Sequence, residues 1–216
     1  PEATAPSGRT GKERRFRRNR IPGQRAKISR EDLPAGAALA FAPSTSIRTE
    51  KEGRDIMVHF VGAGPGDPEL LTLKGKRLLE EADVIIYAGS LVNPQLLAYG
   101  KPEAEIYNSA SMTLDEVVEV MERAEREEKT TVRLHTGDPS VYGAHREQMD
   151  ALDRLGISYD VTPGVSSFLA AAASLKKEYT LPGVSQTVIL TRRGGRTGVP
   201  EKEKLESLAE HRATMI

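Results

Sequence analysis

The 216-residue sequence contains no cysteine. Disulfides, thiolate nucleophiles and Cys-ligated metals are therefore excluded. Nor does it contain an apolar run close to the roughly 18 residues that a membrane-spanning helix requires. Its basic N-terminal stretch lacks the apolar segment and small-residue cleavage site of a secretory signal. There is no HExxH, no paired histidine and no clustered carboxylate, so no metal site is expected. No nucleophile–base pair is legible from spacing, and catalytic residues are left unassigned. These absences together predict a cytoplasmic protein that neither enters a membrane nor holds a metal.

Net charge is also lacking, because 31 Lys/Arg balance 31 Asp/Glu. The balance hides an asymmetry: residues 1–55 carry 13 basic and 7 acidic side chains, and the remainder carries 18 and 24. Residues 1–56 have no sustained apolar period and contain the cluster Arg14, Arg15, Arg17, Arg18 and Arg20. Such a segment buries too little to offset its ordering entropy, so it is expected to be a disordered basic extension outside the core fold. A basic run can bind nucleic acid, but a solvated tail is the reading preferred here. The first methionine, Met57, directly precedes the first strand-like run, which suggests that residues 1–56 are upstream or fused sequence.

From Met57 the pattern becomes that of an α/β protein. Strands are expected at 57–61, 84–87 (VIIY), 131–136, 157–162 and 187–191. Between them, apolar residues at helical spacing mark several helices. One is capped by Asp67 with Pro68 at its first position. A second opens with the capping box Thr113-Leu-Asp-Glu116. Others cover 144–155 (stopped by Gly156), 165–175 and 202–210. Alternating strands and helices imply a largely parallel sheet. An N-terminal α/β domain is expected over 57–158, with a partial C-terminal α/β domain over 159–216. The last residues, Ala213-Thr-Met-Ile216, read as the opening of another strand, so that second domain is expected to be incomplete.

In parallel sheets ligands sit beyond the carboxyl ends of the strands. Loops 62–67, 137–143 and 163–167 each follow a strand, and they should gather on one edge. Gly62-x-Gly64-x-Gly66 resembles a dinucleotide fingerprint but departs from it: Asp67 holds the sixth position, Pro65 stiffens the middle, and no acid ends the second strand at Tyr87-Ala88. In Gly137-Asp138-Pro139-Ser140-Val141-Tyr142-Gly143, Asp138 is either a ligand acceptor or the cap of a helix starting near Val141. Ser166 and Ser167 sit at a helix start, where serine is commonly a cap. His135 is a ligand contact or a satisfied structural histidine, and His59 reads as structural. Arg192, Arg193 and Arg196 are either carboxylate partners or a solvated loop.

Four stretches in fixed order, VGAGPGDPELLTLKG (61–75), ADVIIYAGSLV (82–92), RLHTGDPSVYGA (133–144) and TPGVSSF (162–168), resemble the tetrapyrrole (corrin/porphyrin) methylase family. Within it, YAGSLV and NSASMTLDE (108–116) are most similar to the branch that methylates carbon 11 of precorrin-4 or cobalt-precorrin-4 on the way to cobalamin. Ala88 and Asn108-Ser109 depart from the pattern of the uroporphyrinogen branch. Another precorrin or uroporphyrinogen methyltransferase, or an inactive binding module, remain the alternatives. The resemblance implies two α/β domains with S-adenosylmethionine in the cleft between them, a homodimer, and a precorrin-type substrate. It also implies that family members continue past this C-terminus. Carried over by position, it assigns cofactor binding to Pro65, Gly137, Asp138, Pro139, Tyr142, Ser166 and Ser167. Gly64, Gly66, Asp67, Ser90 and His135 are substrate candidates, with the helix start after Gly66 as an anion site. Methyl transfer needs alignment above all, which can lower a barrier by about 7–11 kcal/mol, and this suits a sequence without a catalytic dyad.

Overall fold

The computed structural model describes residues 58–195 and 198–216, the side chain of Ser90 excepted. The expectations for the basic extension, for Met57 and for Arg196 fall outside the described residues. Five parallel strands form the main sheet: β1 (Val58–Gly62), β2 (Val84–Tyr87), β3 (Glu105–Asn108), β4 (Thr131–His135) and β5 (Tyr159–Thr162), in the order β3-β2-β4-β1-β5. A two-stranded parallel sheet, β6 (Val188–Ile189) with β7 (Thr214–Met215), follows. The α/β class and the parallel sheet match the sequence expectation. β5, which the sequence assigned to the second domain, is hydrogen-bonded to β1 in the first sheet.

Strand alternation divides the core between the two faces of the sheet. On one face Val61, Ile85, Val132 and Leu134 pack beneath α1 (Leu73–Glu81) through Leu78 and Leu79. On the other, Val58, Phe60, Val84 and Ile86 meet α2 (Leu114–Arg126) and α3 (Arg146–Leu155) through Val117, Met121 and Leu152. The helices lie on opposite faces because the connections leave β1 and β4 in opposite directions across the sheet. Neighbouring strands β1 and β4 thus form the topological switch point, the usual place for a ligand crevice.

The capping box is present: the Glu116 N–H donates to Thr113 Oγ1 at 3.3 Å, and the Thr113 N–H donates to Glu116 Oε2 at 2.6 Å. Asp67 does not open a long helix. It caps only the 3-10 turn Pro68–Leu70, and α1 starts afresh at Leu73, where Thr72 Oγ1 accepts from the Gly75 N–H. α3 begins two residues later than expected, because Tyr142 and Ala144 adopt positive φ (56° and 47°) and cannot be helical. β5 begins at Tyr159 because the Ile157 N–H closes the end of α3 on Leu152 O. α4 (Ser167–Leu175) and β6 are each shorter than read from the sequence. The 202–210 helix resolves into a 3-10 turn and the short α5 (Leu205–Ala209). No described helix is long and apolar enough to cross a membrane.

Candidate functional site

The ends of β1, β4 and β5 are joined main chain to main chain. Gly64 N–H donates to Gly137 O at 3.2 Å, and Gly137 N–H donates to Gly64 O at 2.9 Å. Gly62 and Gly164 lie so close to this bridge that a Cβ on Gly62 would stand 2.6 Å from Gly137 O, and one on Gly164 2.2 Å from the same atom. Only residues without a side chain allow that approach. Asp138 ties the second and third loops together. Its Oδ1 accepts from the Ser140 N–H at 2.8 Å and from the Ser140 hydroxyl, and its Oδ2 accepts from the Gly164 N–H at 2.9 Å. Partial burial pushes the Asp138 carboxyl upward, but the bonds from Ser140 and Gly164 outweigh it and hold it below the usual carboxylate range. Asp138 therefore builds an Asx-type turn and an inter-loop link; no helix starts at Val141.

The three loops do gather on one edge, and beside them opens a cleft. Six of the residues singled out in the sequence line it: His135, Gly137, Asp138, Tyr142, Ser166 and Ser167. Ala88 and Leu91 close the side toward β2, where Thr136 Oγ1 donates to Leu91 O at 3.2 Å. Gly64, Pro65, Gly66, Asp67 and Pro139 do not line the cleft. Pro139 is buried behind the loop, Pro65 is half-buried in its turn, and Gly66 O accepts from Asn93 Nδ2 at 2.6 Å. Where an anion site was expected, at the helix start after Gly66, stands a three-residue 3-10 turn whose Glu69 N–H donates to Asp67 Oδ1 at 2.9 Å. Arg192 lies apart from the cleft, near Gly198 O at 3.4 Å and 6.0 Å from the Tyr142 ring centre. His59 is structural as read: its Nδ1 pairs with Asp160 at 2.7 Å.

Two buried residues of this cleft stand out, one for a capping bond it does not make and one for an unpaired ring nitrogen. Ser166 is 7% exposed and makes no capping bond at the head of α4, contrary to the ordinary role of a serine there. His135 is 3% exposed and its Nε2 has no hydrogen-bond partner. Burial, then the charges of Arg133 and His145, push its pKa down to about 3, against a weaker upward pull from the Gly143 backbone. The imidazole is therefore neutral at pH 7, with Nε2 an unpaired acceptor. Because the unfolded chain binds this proton near pH 6.5 and the folded chain does not, stability is lost as pH falls from there toward 3. Replacing His135 by Gln should remove about 1.4 kcal/mol of pH dependence per pH unit between pH 6 and 4. Urea unfolding of both proteins across that range measures it, and parallel curves would contradict a neutral buried imidazole.

Sequence reading missed Arg133, a charged residue at the centre of the fully buried β4. It is 6% exposed and lies on the wall of the same cleft. A cation in the middle of a buried strand was the available signal.

The family model for tetrapyrrole (corrin/porphyrin) methylases matches residues 57–216. The chain belongs to that family. It is 65% identical over 158 residues to the cobalt-precorrin-4 C(11)-methyltransferase of Methanocaldococcus jannaschii, covering 73% of this chain and 61% of the relative. The solved cobalt precorrin-4 methyltransferase, described as a cobalamin biosynthetic enzyme, superposes with a TM-score of 0.74 at 50% identity, over 78% of this chain and 70% of that one. The uroporphyrin-III C-methyltransferase of Thermus thermophilus, complexed with S-adenyl homocysteine, gives a TM-score of 0.55 at 36% identity, over 68% and 60% of the two chains. This tetrapyrrole methylase chain thus spans about six tenths of the length of the curated relatives it matches.

Proposed function

We propose that this chain binds S-adenosylmethionine in the cleft at the ends of β1, β4 and β5 and directs its methyl group to carbon 11 of precorrin-4 or cobalt-precorrin-4, a step of cobalamin biosynthesis. The observation that carries this is the convergence of the 137–144 loop and the head of α4 around a buried, unpartnered acceptor. The residues fit such a cofactor. The Ser166 hydroxyl makes no capping bond and is left for a hydroxyl or amino group of a nucleoside, His135 Nε2 lies unpaired in the wall behind it, and Asp138 sets a negative charge beside them. The same reading keeps Pro65 and Pro139 as cofactor contacts and Gly64, Gly66, Asp67 and Ser90 as substrate contacts, although Gly64, Pro65, Gly66, Asp67 and Pro139 are not among the residues that line the cleft.

When bound, the sulfonium supplies an electrophilic methyl group. The chain's own residues orient, exclude water and keep charge in its place. His135, neutral at pH 7, adds no imidazolium charge to the wall beside the sulfonium. Asp138 holds the loop against Gly164, and Leu91, Val141 and Phe168 supply apolar wall. The same reading includes a cytoplasmic homodimer and a second domain that begins beyond β5; sedimentation of the full chain tests the dimer.

Calorimetry of the 216-residue chain with S-adenosylhomocysteine, followed by transfer of labelled methyl to cobalt-precorrin-4, tests the proposal. Binding and transfer are expected. Absence of S-adenosylhomocysteine binding would overturn it, and binding without transfer would reduce the chain to a binding module.

A further inference from the structure

Arg133 sits between two cavities. On one side is the cleft described above; on the other is a second hollow, against α2 and α3, bordered by Ser109, Met112, Glu147 and Gln148. Arg133 is 6% exposed, and the hydrogen bonds of its guanidinium all go to neutral acceptors. Nε donates to Gln148 Oε1 at 3.1 Å, and Nη1 donates to the carbonyls of Ile86 at 3.3 Å and Leu134 at 3.4 Å. Nη2 has no bond to a described residue, yet it is not among the sealed, unsatisfied atoms. No described carboxylate forms an ion pair with it. Burial alone acts on its pKa, down to about 10, so it remains charged at neutral pH.

A buried cation is costly unless an anion accompanies it. Elsewhere in this molecule partly buried cations do have one: Lys101 meets Asp83 at 2.7 Å, and Arg123 meets Glu105 at 2.9 Å. Arg133 is different in that its free edge faces ligand-sized space. Gln148 holds the head group in place, and is itself held by donating from Nε2 to Ala144 O at 3.2 Å. A planar fork fixed through Nε and Nη1, with Nη2 open, is suited to a carboxylate.

We propose that Arg133 is a carboxylate anchor: the ligand, not the protein, supplies its counter-charge. This rests on reading the cleft as a ligand site, but not on methyl transfer. Two ligands of that reading carry the group, namely the aminoacyl end of the cofactor and the acidic side chains of the tetrapyrrole.

The test compares the full wild-type chain with Arg133→Met and Arg133→Lys, using three probes: S-adenosylhomocysteine, 5′-methylthioadenosine (the same nucleoside without the carboxylate) and uroporphyrin III. Arg133→Met should keep or raise the melting temperature of the ligand-free protein, because an unpaired buried charge is removed. It should weaken a carboxylate-bearing probe by about 30-fold or more while leaving methylthioadenosine unchanged. Arg133→Lys should recover part of the loss. Selective loss of S-adenosylhomocysteine assigns the carboxylate to the cofactor; selective loss of uroporphyrin III assigns it to the tetrapyrrole. Equal weakening of S-adenosylhomocysteine and methylthioadenosine, or no weakening of either acidic probe, overturns the anchor. If wild type binds no nucleoside, the methyl-transfer reading fails and the anchor is decided on uroporphyrin III alone. Failure of uroporphyrin III to bind would then overturn it.

Discussion

Gly164→Ala is expected to destabilise the chain by roughly 3–5 kcal/mol, the upper range for forcing volume into packed structure, and to abolish S-adenosylhomocysteine binding. The added methyl carbon would stand 2.2 Å from Gly137 O and 2.8 Å from Gly62 Cα. Both obstacles are main chain at the ends of hydrogen-bonded strands, so no rotamer change relieves the clash. Either β5 withdraws from β1 or the Gly64–Gly137 bridge opens. Gly156→Ala is the control: its φ is +68°, but nothing lies within 4 Å of the new atom. That substitution should cost only the left-handed penalty of about 1–2 kcal/mol and leave ligand affinity intact. Urea midpoints and calorimetry on both variants decide the matter. Equal, small effects would mean that the close approach of the three strand ends is not what holds the site.

The second large effect is expected at Asp138. Truncation to Ala frees the Gly164 and Ser140 N–H groups at once and cuts the only side-chain link described between the second and third loops. Losing acceptors for partly buried donors costs about 1–3 kcal/mol for each, so a total near 3 kcal/mol is expected, given the partial exposure of the turn. Asp138→Asn keeps one acceptor oxygen and turns an amide toward the other donor. It should fall between Ala and wild type in stability, yet match Ala in ligand binding if the negative charge itself faces the cofactor. Ser140→Ala, which removes only the exposed hydroxyl bond, should cost less than about 1 kcal/mol. If Asn retained full affinity, Asp138 would be a framework residue and nothing more.

These two residues also show how much was legible beforehand. Strand β2 was visible as the aliphatic run of a buried parallel strand, and β1 and β4 as short apolar and β-branched stretches that end at glycine turns. The rule that ligands lie beyond their carboxyl ends was enough to bring the three loops together. β3 was not read from its pattern, because burial there contradicts hydropathy. Glu105 and Tyr107 are half-buried in a network with Arg123 and Lys129, whereas Ile106 is 48% exposed. The extent of the first helix was misjudged because Asp67 and Thr72 are both good caps, and a sequence does not say which one closes on a 3-10 turn. Within the site, Ser166 looked like a cap and makes no side-chain capping bond, and Asp138, read as a ligand acceptor or a helix cap, forms a bridge between two loops. The open edge of Arg133 depends on where Gln148, fifteen residues away, places its amide, which no local pattern encodes.

The frame around the cleft is made of carbonyls and amides of Gly62, Gly64, Gly137 and Gly164, whereas its lining is made of side chains such as Leu91, Val141, Tyr142 and Phe168. Scaffold and selectivity are thus written in different parts of the chain. Asp138 apart, such a side chain can be exchanged, and with it the shape of the molecule accepted, without touching the bonds that keep the strand ends together. Such a separation makes an architecture evolvable: one rigid joint can serve many differently shaped ligands.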